Sequence, residues 1–312
     1  MAAKGKITKA TPDDSGVVLF AFGNRVYYWA AYNLAWSIKH YSPEISITVF
    51  IDSTESVGKW CHELLSLADS IVEVDKELLH TNGKFDPGKL KVSLYDLLPY
   101  SHNLYLDVDA VCLKDINPLL TELMDSKKNY ISHTVGYHTI DKGREIPSMQ
   151  WAWATDIWEH FKLDSKSILP AINSSLQFIV KSDECEQLYK TAKDLYINNP
   201  LPLNKLRMKW GGGQPDELYM NVSCAINKID PAIDVNNKNE YSESGHIHFA
   251  MRRGLTIDEV IQKYYFQSYY GGRGFTARFY TEWLDRKLYN MMQGNHQYKI
   301  DLITRSKHAD KK

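Results

Sequence analysis

Two carboxylates one residue apart, Asp107 and Asp109, close an apolar run that reads Asn103-Leu-Tyr-Leu-Asp-Val-Asp-Ala-Val-Cys-Leu113. On a strand, residues i and i+2 share a face, so the pair is expected side by side, repelling. Burying two unpaired carboxylates is costly, and the ways out are a shared proton, a cationic partner or a bound metal. A hard divalent cation with oxygen ligands relieves the repulsion directly. Taken alone, an Asp-x-Asp is more often a solvated turn, so the rest of the chain has to decide.

The elements around the pair suit a site. Residues 17–22 (VVLFAF), 45–51 (ISITVFI) and 70–74 (SIVEV) read as buried strands. Helices are expected over 26–40 and 56–68, and over 89–98 leading into the strand that carries Asp107. Strand alternating with helix is the pattern of an α/β protein with a parallel sheet. In such a sheet the carboxyl ends of the strands line the ligand crevice, and the Asp pair stands at that end. The second half is less regular: Trp151, Trp153 and Trp158 precede a strand over 176–180 and a helix over 184–196.

Bulk properties exclude some classes. With 312 residues, 44% of them hydrophobic, the chain can bury a full core. Lys plus Arg number 37 against 38 Asp plus Glu, so no overall charge draws it to nucleic acid or anionic lipid. Cys61, Cys112, Cys185 and Cys224 are far apart and form no Cys-x-x-Cys, which suits reduced thiols in a cytoplasmic protein. No signal peptide or membrane-spanning run is expected.

A wider pattern surrounds the Asp pair. Lys91, Tyr100 and the run from Leu104 to Ile116, followed by Leu119, resemble the Asp-x-Asp region of retaining glycosyltransferases of the GT-A fold, particularly the glycogenin and galactosyltransferase-like family eight. Further matches follow in the family's chain order. Tyr27, ahead of Asn33-Leu-Ala-Trp-Ser37-Ile38, stands where the family has a tyrosine that stacks on uracil. Asn173-Ser174-Ser175 is similar to an Asn-Ser-Gly that opens a strand beside the donor sugar. Pro215-Asp216-Glu217-Leu-Tyr-Met-Asn221 resembles an Asp-Gln-x-x-x-Asn segment, and Gly245-His246-Ile247-His248-Phe249 resembles the late His-Phe that supplies a metal ligand. The resemblance spans residues 17 to 250. Three departures stand out: Ser175 replaces a glycine, Glu217 replaces a glutamine, and the family's Gly and Lys after His-Phe become Ala250-Met251-Arg252-Arg253-Gly254.

The resemblance implies a Rossmann-like GT-A domain over residues 1–254, its mixed, mostly parallel sheet flanked by helices, with a helical and aromatic C-terminal extension over 255–312. It implies an enzyme that moves a sugar from a nucleoside-diphosphate sugar, a UDP-sugar by analogy, with retention. Asp107, Asp109 and His248 would hold Mn²⁺, with Mg²⁺ the alternative; the imidazole tilts the choice toward manganese. His246 competes with His248, whose face it would share on a strand. Tyr27, Lys91, Asp107, Asn173, Ser174, Arg252 and Arg253 would bind the donor. Asp216 and Glu217 would flank the anomeric carbon, where a carboxylate stabilises an oxocarbenium-like transition state. Asp216 also reads as a plain helix cap.

From Lys263 the chain continues KYYFQSYYGGRGFTARFYTEWLDRK, whose aromatic and arginine side chains suit stacking on sugar rings or nucleobases. The expected acceptor is a glycan or glycolipid, with a modified base in DNA as the alternative; packing of these aromatics onto the core is the competing reading. Two other classes stay open: a non-catalytic sugar-nucleotide or carbohydrate binder, and a sugar-nucleotide nucleotidyltransferase. The latter wants a glycine-rich phosphate loop after the first strand, where Ala21-Phe22-Gly23-Asn24-Arg25 stands instead.

Overall fold

A computed structural model of the chain describes residues 15–22, 25–52, 64, 66–142, 152–206, 214–232, 247–249, 259 and 262–268. Strand β1 (Ser15–Ala21) leads to helix α1 (Arg25–Tyr41), β2 (Ser46–Ile51) and β3 (Ser70–Glu73). A short helix α2 (Lys76–Leu79) and the hairpin β4 (His80–Thr81) and β5 (Lys84–Phe85) precede α3 (Pro87–Val92). Then come β6 (His102–Leu106), β7 (Ala110–Cys112), α4 (Asn117–Asp125), β8 (Tyr130–His138), α5 (Ala154–Phe161), β9 (Leu169–Val180), α6 (Asp183–Asn198) and α7 (Asp216–Asn227). Strands β10 (Ile247–Phe249) and β11 (Phe266–Ser268) complete the described elements. The helix expected over 56–68 lies mostly outside the described residues.

The main sheet runs β3-β2-β1-β6-β9-β8. Strands β1, β2, β3 and β6 are parallel, and β9 is antiparallel to both β6 and β8. The continuous apolar run of β1 is explained by burial on both faces. Val17, Leu19 and Ala21 pack with Leu34, Ala35 and Ile38 of α1, while Val18 and Phe20 pack on the other side with Leu90, Leu188 and Leu218. The order of strands reverses at β1: β2 and β3 lie to one side of it, β6 to the other. That is a switch point, and a crevice opens there beyond the strand carboxyl ends. Tyr27 follows β1 into the crevice mouth and Asp107 follows β6.

The helix expected over 89–98 is shorter. Asp86 caps α3 by accepting from the Lys89 amide at 3.2 Å, and Pro87 opens it. The α geometry stops at Ser93, followed by a 3₁₀ turn over Leu94–Leu97. Pro99 accounts for the end, because the residue before a proline is pushed out of the helical region, and Leu98 is extended with ψ 125°.

A second, three-stranded sheet runs β10-β11-β7. Strand β11 is parallel to β10 and antiparallel to β7, so it lies between them. Tyr264 and Phe266 are within the main core. The boundary expected at 254/255 therefore falls between two paired strands of one sheet. For these two aromatics, core packing rather than acceptor stacking is what the structure shows. Residues 269–312 lie outside the described residues.

Candidate active site

The Asp pair does not sit on the strand. Strand β6 ends at Leu106, and Asp107 to Asp109 form the bend into β7, where the Asp107 amide donates to the Ser175 carbonyl at 2.9 Å. The alternation that was expected to join the two aspartates instead joins Tyr105 to Asp107. The Tyr105 hydroxyl donates to Asp107 Oδ1 at 2.6 Å, from a ring that is 1% exposed. Asp109 is half-buried, and its charge and that of Asp107 both act on Tyr27, whose hydroxyl pKa burial raises first and these two carboxylates raise further. Tyr27 is 47% exposed and so offers its ring to the crevice.

Lys91, from the last turn of α3, is the centre of the cluster. Its ammonium is 2.9 Å from Asp107 Oδ1 and 3.1 Å from Oδ2, 3.2 Å from Ser174 Oγ, and 3.9 Å from Asp216 Oδ2. Burial alone would lower the Lys91 pKa, but Asp107, Asp216, Tyr105 and Glu217 outweigh it and hold the group charged, well above the ordinary range. The cation was expected to meet donor phosphate; in this structure it meets carboxylates.

Asp216 and Glu217 open α7. Pro215, not Asp216, holds the cap position, so the Asp216 carboxylate does not cap the helix as its sequence position suggested. It reaches the Lys91 cluster, 3.9 Å from the ammonium, where its Oδ2 is buried without a hydrogen bond. Burial raises the Asp216 pKa against the pull of Lys91 and Ser174. Glu217 is pushed up to about 8, by burial first and then by Asp216, with Lys91 opposing. Asn221, one turn further, is fully buried and accepts from the Ile172 amide at 3.1 Å, which pins α7 to β9.

Ser174 reaches the cluster because β9 bulges. Ser132 pairs with Gln177 but His133 pairs with Asn173, so residues 174–176 have no partner on β8 and the strand bends. The bulge satisfies itself: Ser132 Oγ donates to the Asn173 and Leu176 carbonyls, and Asn173 Oδ1 accepts from the Ser175 amide at 3.0 Å. Asn173, expected on the donor, thus spends its side-chain oxygen on the bulge, midway along β9 and not at its start. Behind it, Gln177 accepts from Tyr130 at 2.9 Å and Tyr189 at 2.8 Å, and donates to the Ser174 carbonyl.

His248 lies on β10, paired with Gln267 of β11, which pairs with Val111 of β7. Two strand spacings separate its backbone from β7, about 10 Å. Its side chain, like His246, Arg252 and Arg253, lies outside the described residues. Among the described residues no group of three or more His, Cys, Asp or Glu side chains is arranged to hold a metal ion.

With this geometry in place, comparison with solved structures is informative. The galactosyltransferase LgtC, solved with donor and acceptor sugar analogues, matches at a TM-score of 0.53 and 12% identity, over 92% of this chain and 99% of LgtC. The chain has a GT-A-like fold. The bifunctional glycosyltransferase WbbM matches at 0.52 and 10% identity, over 93% of this chain and 53% of WbbM. An active-site mutant of LgtC matches at 0.51 and 12%, over 92% of this chain and 98% of the mutant. No protein-family model and no curated sequence matches the chain. The GT-A fold expected from the motifs is therefore present at very low identity.

The residues brought together are Lys91, Asp107, Ser174, Asp216 and Glu217, with Tyr27 and Asp109 at the crevice mouth. Tyr105, Gly88 and Gln177 escaped sequence reasoning. Only Tyr105 carried a signal, its i−2 relation to Asp107; its type reads as plain core.

Proposed function

We propose that the chain is a glycosyltransferase that moves a sugar from a nucleoside-diphosphate sugar, taken as a UDP-sugar, to a glycan or glycolipid acceptor with retention at the anomeric carbon. The observation that carries this reading is the Lys91 ammonium joining Asp107 to Asp216. It puts the bend that would meet the donor diphosphate within one side chain of the buried carboxylates that would meet the sugar. The GT-A fold supports the reading, as does the galactosyltransferase activity named for LgtC.

The donor set suits a divalent cation. Asp107 and Asp109 put two carboxylates on one bend, and Lys91 is shared between Asp107 and Asp216, whose Oδ2 has no hydrogen bond, so one ammonium serves more than one buried negative charge. Asp107, Asp109 and His248 would hold the ion, manganese or magnesium, which when bound stabilises the charge of the departing diphosphate. The protein's own groups do the rest. Tyr27 presents a ring to the base, as Arg252 and Arg253 would present charge to phosphate. Lys91 and Ser174 orient Asp216, which supplies negative charge beside the anomeric carbon. Glu217, in neutral form near pH 7, donates a hydrogen bond as the glutamine of its counterparts would.

The test is release of nucleoside diphosphate from a panel of sugar nucleotides with Mn²⁺. Release that Asp109→Asn abolishes, while Asp216→Asn lowers kcat more than KM, supports the assignment. Pyrophosphate release, or full activity of Asp109→Asn, overturns it. No helix among the described residues is long and apolar enough to cross a membrane.

A further inference from the structure

Lys91 stands on the very oxygens that a cation would need. Both oxygens of Asp107 are within 3.1 Å of its ammonium, and Oδ1 also accepts from Tyr105. A divalent ion approaching Asp107 meets a resident positive charge, and two cations cannot share that carboxylate without strong repulsion. One of them must leave. A lysine side chain has three rotatable donors on a flexible stem, so it can change partners without moving its helix.

A destination is already built. Asp216 Oδ2 is buried, makes no hydrogen bond, and lies 3.9 Å from the ammonium, a long ion-pair contact beside the 2.9 Å one to Asp107. A buried carboxylate oxygen without a hydrogen bond is costly, and a closer approach of the ammonium would relieve that cost. Ser174 Oγ accepts from the ammonium at 3.2 Å and also favours the charged form of Asp216, and so acts on both positions.

Resting on the reading above, we propose that Lys91 is a two-position ammonium, seated on Asp107 when no divalent cation is bound and transferred to Asp216 when one binds. The exchange links the two ends of the site. Filling the diphosphate end delivers a positive charge to Asp216, which sets that carboxylate in place only once the cation has arrived. In the cation-free protein the same ammonium keeps adventitious divalent ions off Asp107, so Mn²⁺ alone binds weakly.

The experiment is Mn²⁺ binding without nucleotide, read from the electron paramagnetic resonance of the free ion, on wild type, Lys91→Met, Asp216→Asn and the double variant. Lys91→Met is expected to bind Mn²⁺ about tenfold tighter than wild type, because the competing charge is gone. Asp216→Asn should weaken binding when Lys91 is present and change it less than about twofold in the Lys91→Met background. Unchanged or weaker binding in Lys91→Met, or an equal Asp216→Asn effect in both backgrounds, overturns the proposal, as does absence of Mn²⁺ binding in every form. Should a variant fail to fold, wild type still answers: the Lys91 ammonium ¹⁵N resonance, identified by its loss in Lys91→Arg, must move on saturation with Mg²⁺. A resonance that stays put overturns the exchange. None of these readouts needs a sugar nucleotide, so Mn²⁺ binding as described with no nucleoside diphosphate released from any donor would refute sugar transfer alone.

Discussion

The hydroxyl of Tyr105 donates to Asp107 Oδ1 across 2.6 Å, from a ring wholly inside the protein. With Tyr105 on β6 and Asp107 just past its end, the two form a unit in which the core itself orients a carboxylate of the crevice. Tyr105→Phe removes the donor and leaves no large cavity. A stability loss of about 1 kcal/mol is expected in chemical denaturation. A fall of about tenfold in kcat/KM should accompany it, since Asp107 loses its aim.

Gly88 lets α3 pack closely against Tyr196 of α6 and the backbone just ahead of α7. A Cβ there would lie 2.9 Å from the Gln214 carbonyl and 2.7 Å from the Tyr196 hydroxyl, which itself donates to Asp86 at 2.5 Å. Backbone and a pinned ring cannot easily give way. Gly88→Ala is expected to force α3 outward, carrying Lys91 from Asp216, at a cost of about 1–3 kcal/mol. Turnover should drop more than the melting temperature alone explains, and Gly88→Ser should be worse still.

The pH dependence of stability carries a sign that can be checked. Glu217 is raised from the ordinary 4.5 to about 8 mainly by burial, so the folded state holds a proton that the unfolded state has released. Its contribution is complete below pH 4.5 and is lost as pH climbs through about 8. Glu217→Gln should therefore gain stability relative to wild type steadily across that window and level off above it. Denaturation midpoints of the two proteins at several pH values decide the matter; parallel curves would place Glu217 in its charged form.

Gln177 gathers three buried groups. It accepts from Tyr130 and Tyr189 and donates to the Ser174 carbonyl. Gln177→Leu keeps most of the volume but strands two phenols, and each unpaired buried group costs about 1–3 kcal/mol. Loss of several kcal/mol in urea unfolding is expected, partly restored by adding Tyr189→Phe.

The strands β1, β2 and β6 and the helix α1 were legible because burial on both faces writes unbroken apolar runs, punctuated by Gly23 and Pro43. The place of Asp107 at the carboxyl end of β6 was legible too, from the apolar run that precedes it. Its partner's identity was not. Lys91 precedes it by sixteen residues, and their meeting depends on how α3 docks, with Gly88 allowing close approach to Tyr196 and the Gln214 carbonyl. The bulge that aims Ser174 was equally invisible, since a strand that widens by three residues keeps the same apolar pattern. The competing reading of Asp216 as a helix cap fails because capping is judged locally, whereas Pro215 holds the cap position and the ammonium near Asp216 comes from another helix.

Strand β7, which continues directly from the Asp107–Asp109 bend, finds its hydrogen-bonded neighbour β11 about 150 residues later. On the ribosome, then, the acidic bend is synthesised long before the strand that fastens it. The parallel core can form from local βαβ units before β7 gains this neighbour, and closing so distant a pairing is slow. Whatever depends on β11 holding β7 would arrive late in synthesis, after the scaffold.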